Sequence, residues 1–116
     1  MFKEVKHVQK ISGKTIILTR GDTMRIKLNI KKSDGEDYIP SAEDAIRFAL
    51  KKKYSDPEPL LLIPIPTDTL TLTINPEDTK PLNFGSYVYD IQITYANGDV
   101  DTFICKQQFR IEEEVD

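Results

Sequence analysis

Apolar and polar positions alternate most regularly between Tyr87 and Tyr95. Tyrosine or isoleucine stands at every second position of this stretch, and the positions between carry valine or polar residues. A period of two over this length predicts a strand with one buried face and one wetter face. The same pattern, with apolar residues at alternate positions from Met24 to Ile30, predicts a second strand over Thr23–Lys32.

Shorter stretches predict the remaining strands and the turns between them. Four such strands are expected, over Lys14–Thr19, Leu60–Ile65, Thr69–Ile74 and Val100–Ile111. The Leu60–Ile65 strand is expected at a sheet edge, because Pro64 has no N–H to donate to a ladder. Asn97-Gly98 suits a type I′ turn and predicts a hairpin between the Tyr87 strand and the last strand.

The stretch from Ser41 to Tyr54 fits two secondary structures. Ser41 followed by acidic residues looks like a helix N-cap, and apolar residues then recur at helical spacing. Equally, Ile46, Phe48 and Leu50 alternate with less apolar residues, as in a strand. Because strands are predicted on both sides, we favour a strand preceded by at most a short helical turn near residues 41–44.

The last strand contains Cys105, the only cysteine, so no internal disulfide can form. Cys105 shares a parity with Phe103 and Phe109, which predicts a small buried side chain and not a nucleophile. Val100 and Ile104 break that parity, so a β-bulge is expected in this strand.

Length and composition fit one soluble globular domain. A chain of 116 residues has room for one core, and 30% charged with 39% hydrophobic residues is not the composition of a disordered chain. Residues 1–13 are expected to form an N-terminal arm and residues 14–116 a single domain. The net charge of −3 gives no basis for a nucleic-acid partner. Neither a signal peptide nor a membrane span is evident, so we expect synthesis in a cytosol and no membrane partner.

The sequence predicts no catalytic, cofactor-binding or metal-binding residues. His7 is the only histidine and lies in the arm, so Ser–His or Cys–His catalysis and an ordinary zinc site are not expected. Asp34, Glu36 and Asp37 offer oxygen ligands that calcium prefers, but an ordinary acidic turn is the better interpretation. Arg20-Gly21-Asp22 matches the tripeptide that integrins recognise and is interpreted as a tight turn.

A motif at the start of the Tyr87 strand resembles a signature of immunoglobulin-like sandwiches. Asn83-x-Gly85-x-Tyr87-x-Tyr89 is similar to Asp-x-Gly-x-Tyr-x-Cys, which opens the sixth strand of those domains. The resemblance implies that Tyr87 turns its hydroxyl back onto the backbone as a tyrosine corner. It also implies that Leu28, Phe48 and Tyr89 replace the Cys, Trp and Cys of antibody domains. About seven predicted strands then indicate an all-β, immunoglobulin-like β-sandwich.

The serial order of several stretches resembles small immunoglobulin-like structural proteins of tailed bacteriophages and prophages, including N-terminal domains of upper baseplate proteins. These stretches are 18–23, 33–35, 44–52, 75–79, 85–93 and 97–102. The resemblance implies a non-enzymatic virion, tail or baseplate component made in the bacterial cytoplasm. Its partners would be other phage structural proteins or further copies of itself. A carbohydrate-binding or adhesion module is the alternative. The absence of Trp argues against carbohydrate binding, and the absence of a signal peptide argues against extracellular adhesion.

Overall fold

The computed structural model describes residues 15–113, which are mostly β-strand. Seven strands and one helical turn follow one another along this part of the chain. They are β1 (Ile16–Thr19), β2 (Met24–Lys27), β3 (Ala45–Lys51), β4 (Leu61–Ile65), β5 (Thr71–Ile74), α1 (Pro76–Thr79), β6 (Gly85–Thr94) and β7 (Val100–Glu112). The predicted all-β class and the number of strands are confirmed.

The strands form two sheets that share one apolar core. The larger sheet is curled and has the order β1-β7-β6-β3-β4, with β1 parallel to β7 and the other neighbours antiparallel. The smaller sheet pairs β2 with β5. The Asn97-Gly98 segment joins β6 to β7 as the predicted hairpin. The turn is not of type I′, because Gly98 has a positive φ of +94° and Asn97 does not. The Gly98 N–H donates to the Tyr95 carbonyl at 2.8 Å instead, so the connection is a longer loop in which Gly98 alone is left-handed.

Alternation along β6 decides which side chains enter the core. Tyr87, Tyr89 and Ile91 are buried, and the residues between them are half-buried. The ring centroids of Phe48 on β3 and Tyr89 lie 5.4 Å apart, and Phe109 of β7 packs against both rings. Aromatic packing of this kind supplies the centre of the core without a disulfide.

The ambiguous stretch after Ser41 resolves as a strand. Residues Ala45–Lys51 form β3, as predicted. The preceding residues are a turn closed by a hydrogen bond from the Asp44 N–H to the Ser41 carbonyl at 3.1 Å, so the helical turn allowed there was misplaced. The helical turn of the described chain is α1 instead. Pro76 begins it, and the Asn75 N–H donates to the Asp78 carboxylate at 2.7 Å.

The strand predicted over Thr23–Lys32 forms a ladder only over Met24–Lys27, although its alternating burial continues to Ile30. Leu70, just before β5, has a φ of +53°, which leaves the extended conformation and ends the ladder. The Leu28 N–H still donates to the Leu70 carbonyl at 2.7 Å.

The burial predicted for Cys105 was wrong. The register between β6 and β7 shifts on both sides of Ile91, and Lys106 has a φ of +58°. These irregularities are the bulge that the sequence predicted, and they turn Cys105 to the exposed face. Phe103 and Ile104 are buried side by side as a result. The predicted arm, residues 1–13, lies outside the described residues.

Candidate docking groove

A groove lies between β1 and β2, where the two sheets diverge. Its volume is about 660 Å³. The floor consists of the core side chains Leu72, Tyr89, Ile91 and Ile104, and the walls are residues 15–17 and Met24–Asn29. Apolar side chains of both sheets therefore meet at one opening that reaches the surface.

Each wall of the groove is a strand with one unpaired edge. Within residues 15–113, β1 pairs only with β7, and β2 pairs only with β5. Unpaired strand edges present backbone N–H and C=O groups that another extended segment can bind. The groove therefore combines apolar surface with available backbone hydrogen-bonding groups.

The backbone geometry of β2 shows which residues face the groove edge. Leu28 donates to the carbonyl of Leu70, and the register of β2 against β5 places these two residues opposite each other. Because hydrogen-bonded and non-bonded pairs alternate in an antiparallel ladder, Met24 and Ile26 also bond toward β5. The N–H and C=O groups of Arg25 and Lys27 consequently point to the unpaired edge.

The side chains of β2 divide by the same alternation. Met24 and Ile26 are half-buried against the core, whereas Arg25 and Lys27 are exposed. Neither cation makes an ion pair with a residue in the described part of the chain. The groove thus has an apolar interior and a positively charged rim along β2.

Among the described strands, β4 has a second unpaired edge at the far side of the larger sheet. Its position at the end of the strand order confirms the predicted edge strand. Pro64 lies opposite Arg47 of β3, and Leu60 and Leu62 are 50% and 55% exposed. This edge therefore presents exposed apolar side chains.

Two of the acidic residues considered for calcium, Asp34 and Asp37, bind groups of the surrounding turn. The Asp34 carboxylate accepts from the Glu36 N–H at 2.9 Å, and Asp37 pairs with Lys31, which lowers the pKa of Asp37. Across residues 15–113, no group of three His, Cys, Asp or Glu side chains converges on one point. His7 lies outside these residues.

The Arg20-Gly21-Asp22 stretch is a tight turn fixed to the segment before β6. Gly21 has a φ of +86°, and the Asp22 N–H donates to the Thr19 carbonyl at 3.0 Å. The Gly21 N–H also donates to the buried Thr79 hydroxyl at 2.8 Å. The Arg20 guanidinium packs 4.6 Å from the centroid of the Phe84 ring and therefore does not project from the tip of the turn.

Two tyrosine hydroxyls, one on buried Tyr87 and one on half-buried Tyr38, serve the fold. The Tyr87 hydroxyl donates to the Asn83 carbonyl at 2.7 Å, which is the backbone contact that the sequence motif implied. The Tyr38 hydroxyl donates to the buried carboxylate of Asp44 at 2.5 Å. Burial, together with that carboxylate, raises the pKa of Tyr38 well above its ordinary range. Both hydroxyls hold loops against strands.

Sequence pattern alone does not indicate the groove. The alternation from Met24 to Ile30 predicts that Arg25 and Lys27 lie on the opposite, outer face of the strand, and both are exposed. That pattern does not show that β1 and β2 join different sheets. In the part of the chain that the structure describes, no helix has the length and apolar character needed to cross a bilayer. No protein-family model matches the chain, and no curated protein matches it significantly.

Proposed function

We propose that the chain is a non-enzymatic structural or assembly module of a tailed-phage or prophage particle that acts through protein–protein contacts. The observation that carries the docking role is the apolar groove between the unpaired edges of β1 and β2. Edges of this kind bind other chains by strand addition. The assignment to phage particles rests on the serial order of the sequence stretches between residues 18 and 102.

An immunoglobulin-like sandwich is the finer fold that we propose. The order β1-β7-β6-β3-β4 beside β2-β5 supports it, as does the hydrogen bond from Tyr87 to Asn83. Leu28, Phe48 and Tyr89 are all buried, which agrees with apolar replacement of the Cys, Trp and Cys of antibody domains. Such domains carry their contacts on edges and outer faces, where Leu60 and Leu62 of this chain are exposed.

Light scattering across a concentration series tests the assembly role. The full chain and a form that lacks residues 1–12 are compared at equal concentrations. We expect the mass of the full chain to rise with concentration and the truncated form to associate less while retaining its circular dichroism spectrum. A full chain that stays monomeric throughout would contradict self-association, and equal association of both forms would contradict a contact role for the arm.

A separate assay tests the non-enzymatic assignment. The purified chain is incubated with general ester, phosphate and glycoside substrates. We expect no turnover above that of a heat-denatured sample. Hydrolysis that survives purification and disappears when a single carboxylate is replaced would overturn the proposal.

A further inference from the structure

We propose that the groove binds an extended segment of a different protein, one that alternates apolar and acidic residues, by adding it as a strand along β2. The inference rests on the proposed docking function and names the chemistry of the partner. Three features of the described chain carry it: the direction of the β2 backbone groups, the apolar floor and the unpaired cations of the rim.

The backbone sets the conformation of the bound segment. The N–H and C=O groups of Arg25 and Lys27 point away from β5 toward the groove, as the Leu28–Leu70 hydrogen bond establishes. An extended segment that lies beside β2 satisfies both residues. A helix cannot do so, because its backbone groups are bonded within the helix.

The alternation of β2 then fixes the pattern of side chains on the bound segment. Residues opposite each other in neighbouring strands point to the same face, with Cβ atoms about 4.5–5.5 Å apart. Positions of the segment beside Met24 and Ile26 enter the groove and contact the apolar floor. Positions beside Arg25 and Lys27 face solvent next to two cations, so aspartate or glutamate is favoured there and lysine or arginine is disfavoured.

The chain's own N-terminal segment matches this pattern poorly. Apolar residues stand three apart at Phe2, Val5, Val8 and Ile11, which is not the spacing of a strand. The residues between them include Lys3, Lys6 and Lys10, which would repel the rim. Charge complementarity therefore favours a partner segment over this segment as the occupant.

The test uses the full chain and a fluorescently labelled peptide of alternating valine and glutamate. Binding is followed by fluorescence anisotropy at low ionic strength, because salt screens exposed charges. Two comparison peptides separate the contribution of charge from that of backbone hydrogen bonds. One replaces each glutamate with lysine. The other keeps the side chains but is N-methylated at alternate residues, which removes backbone donors. We expect the glutamate peptide to bind and both comparison peptides to bind about tenfold more weakly or not at all.

Charge reversal on the protein supplies the reciprocal test. The double variant Arg25→Glu and Lys27→Glu should weaken binding of the glutamate peptide about tenfold and strengthen binding of the lysine peptide. The matched control, Lys53→Glu with Lys106→Glu, makes the same change in net charge at exposed positions away from the groove and should leave binding unchanged.

Several results would overturn the inference. These are failure of the glutamate peptide to bind, equal binding of the lysine or N-methylated peptide, and equal loss of binding in the control variant. If the glutamate peptide does not bind but the mass of the chain rises with concentration in light scattering, the acidic partner segment is ruled out and the proposed assembly role is retained. If the chain binds the peptide but stays monomeric at every concentration, the result supports strand addition along β2 and contradicts self-association.

Discussion

At the scale of single residues, Asp44 holds together the end of the domain opposite the helical turn. Its carboxylate accepts from the Tyr38 hydroxyl, the Ser41 N–H and the Ala96 N–H at 2.5, 3.1 and 3.2 Å. The side chain is 8% exposed, so water cannot replace these partners fully. One buried acid thus joins the loop before β3 to the β6–β7 hairpin.

Replacing this acid should cost more stability than replacing its neighbour. Asp44→Ala leaves the three donors without their acceptor, and we expect a loss of about 2–3 kcal/mol in the free energy of unfolding. Glu43→Ala, at an exposed position next to it, should change that free energy by less than about 0.5 kcal/mol. Urea denaturation of both variants checks this, and equal effects would contradict the role given to Asp44.

Tyr38 predicts how stability depends on alkaline pH. Because the folded state raises the pKa of Tyr38, the unfolded chain loses this proton first as the pH rises. The contribution of Tyr38 is therefore complete below about pH 10 and is lost as the pH rises from the unfolded pKa toward the folded one. Denaturation between pH 8 and pH 11 should show falling stability that is less steep in Tyr38→Phe. Parallel curves for the two proteins would contradict this prediction.

At the scale of secondary structure elements, the bulge in β7 makes the burial of its side chains differ from the burial that the sequence pattern predicts. Phe103 and Cys105 share a parity, but Phe103 is buried and Cys105 is exposed. The left-handed residue Lys106 absorbs the extra position in the strand. Because the bulge is a feature of pairing with β6, the pattern of β7 alone could indicate its presence but not its position.

Substitutions at the bulge should depend on backbone conformation. A β-branched residue is strongly disfavoured at positive φ, so Lys106→Val should lower the free energy of unfolding by about 1–2 kcal/mol. Lys106→Gly should be neutral or stabilising, because glycine adopts this conformation without steric cost. The control Gln108→Val lies in the regular ladder and should change stability little. Urea denaturation distinguishes these outcomes, and a tolerated Lys106→Val would contradict the assigned geometry.

Several elements were predictable from local pattern, and others depended on contacts between distant segments. The Tyr87 strand, the Asn97-Gly98 hairpin and the edge position of Leu60–Ile65 follow from periodicity and turn chemistry. The Asn75-Pro76 sequence carries a signal for α1, since proline favours the first turn of a helix, but α1 is not among the predicted elements. The sequence around β2 could not predict the early end of its ladder, because that end depends on the backbone conformation of Leu70, which is distant in sequence.

At the scale of the whole molecule, the candidate site arises from the way two sheets diverge. β1 joins the larger sheet through β7, while β2 joins the smaller sheet through β5, although only a short turn separates them in sequence. Their divergence opens the groove and leaves the rim cations Arg25 and Lys27 on an unpaired edge. Sequence pattern predicted both strands and their faces, but the groove depends on sheet membership, which that pattern does not specify.

The most direct test of this account is residue-resolved hydrogen exchange of the full chain without any partner. An unpaired β2 edge predicts rapid exchange at the amides of Arg25 and Lys27, in contrast to slow exchange at Met24 and Ile26, which bond toward β5. The central amides of β6 should exchange most slowly. Protection of Arg25 and Lys27 equal to that of the β6 amides would show that this edge is already paired and would contradict a groove open to a partner strand.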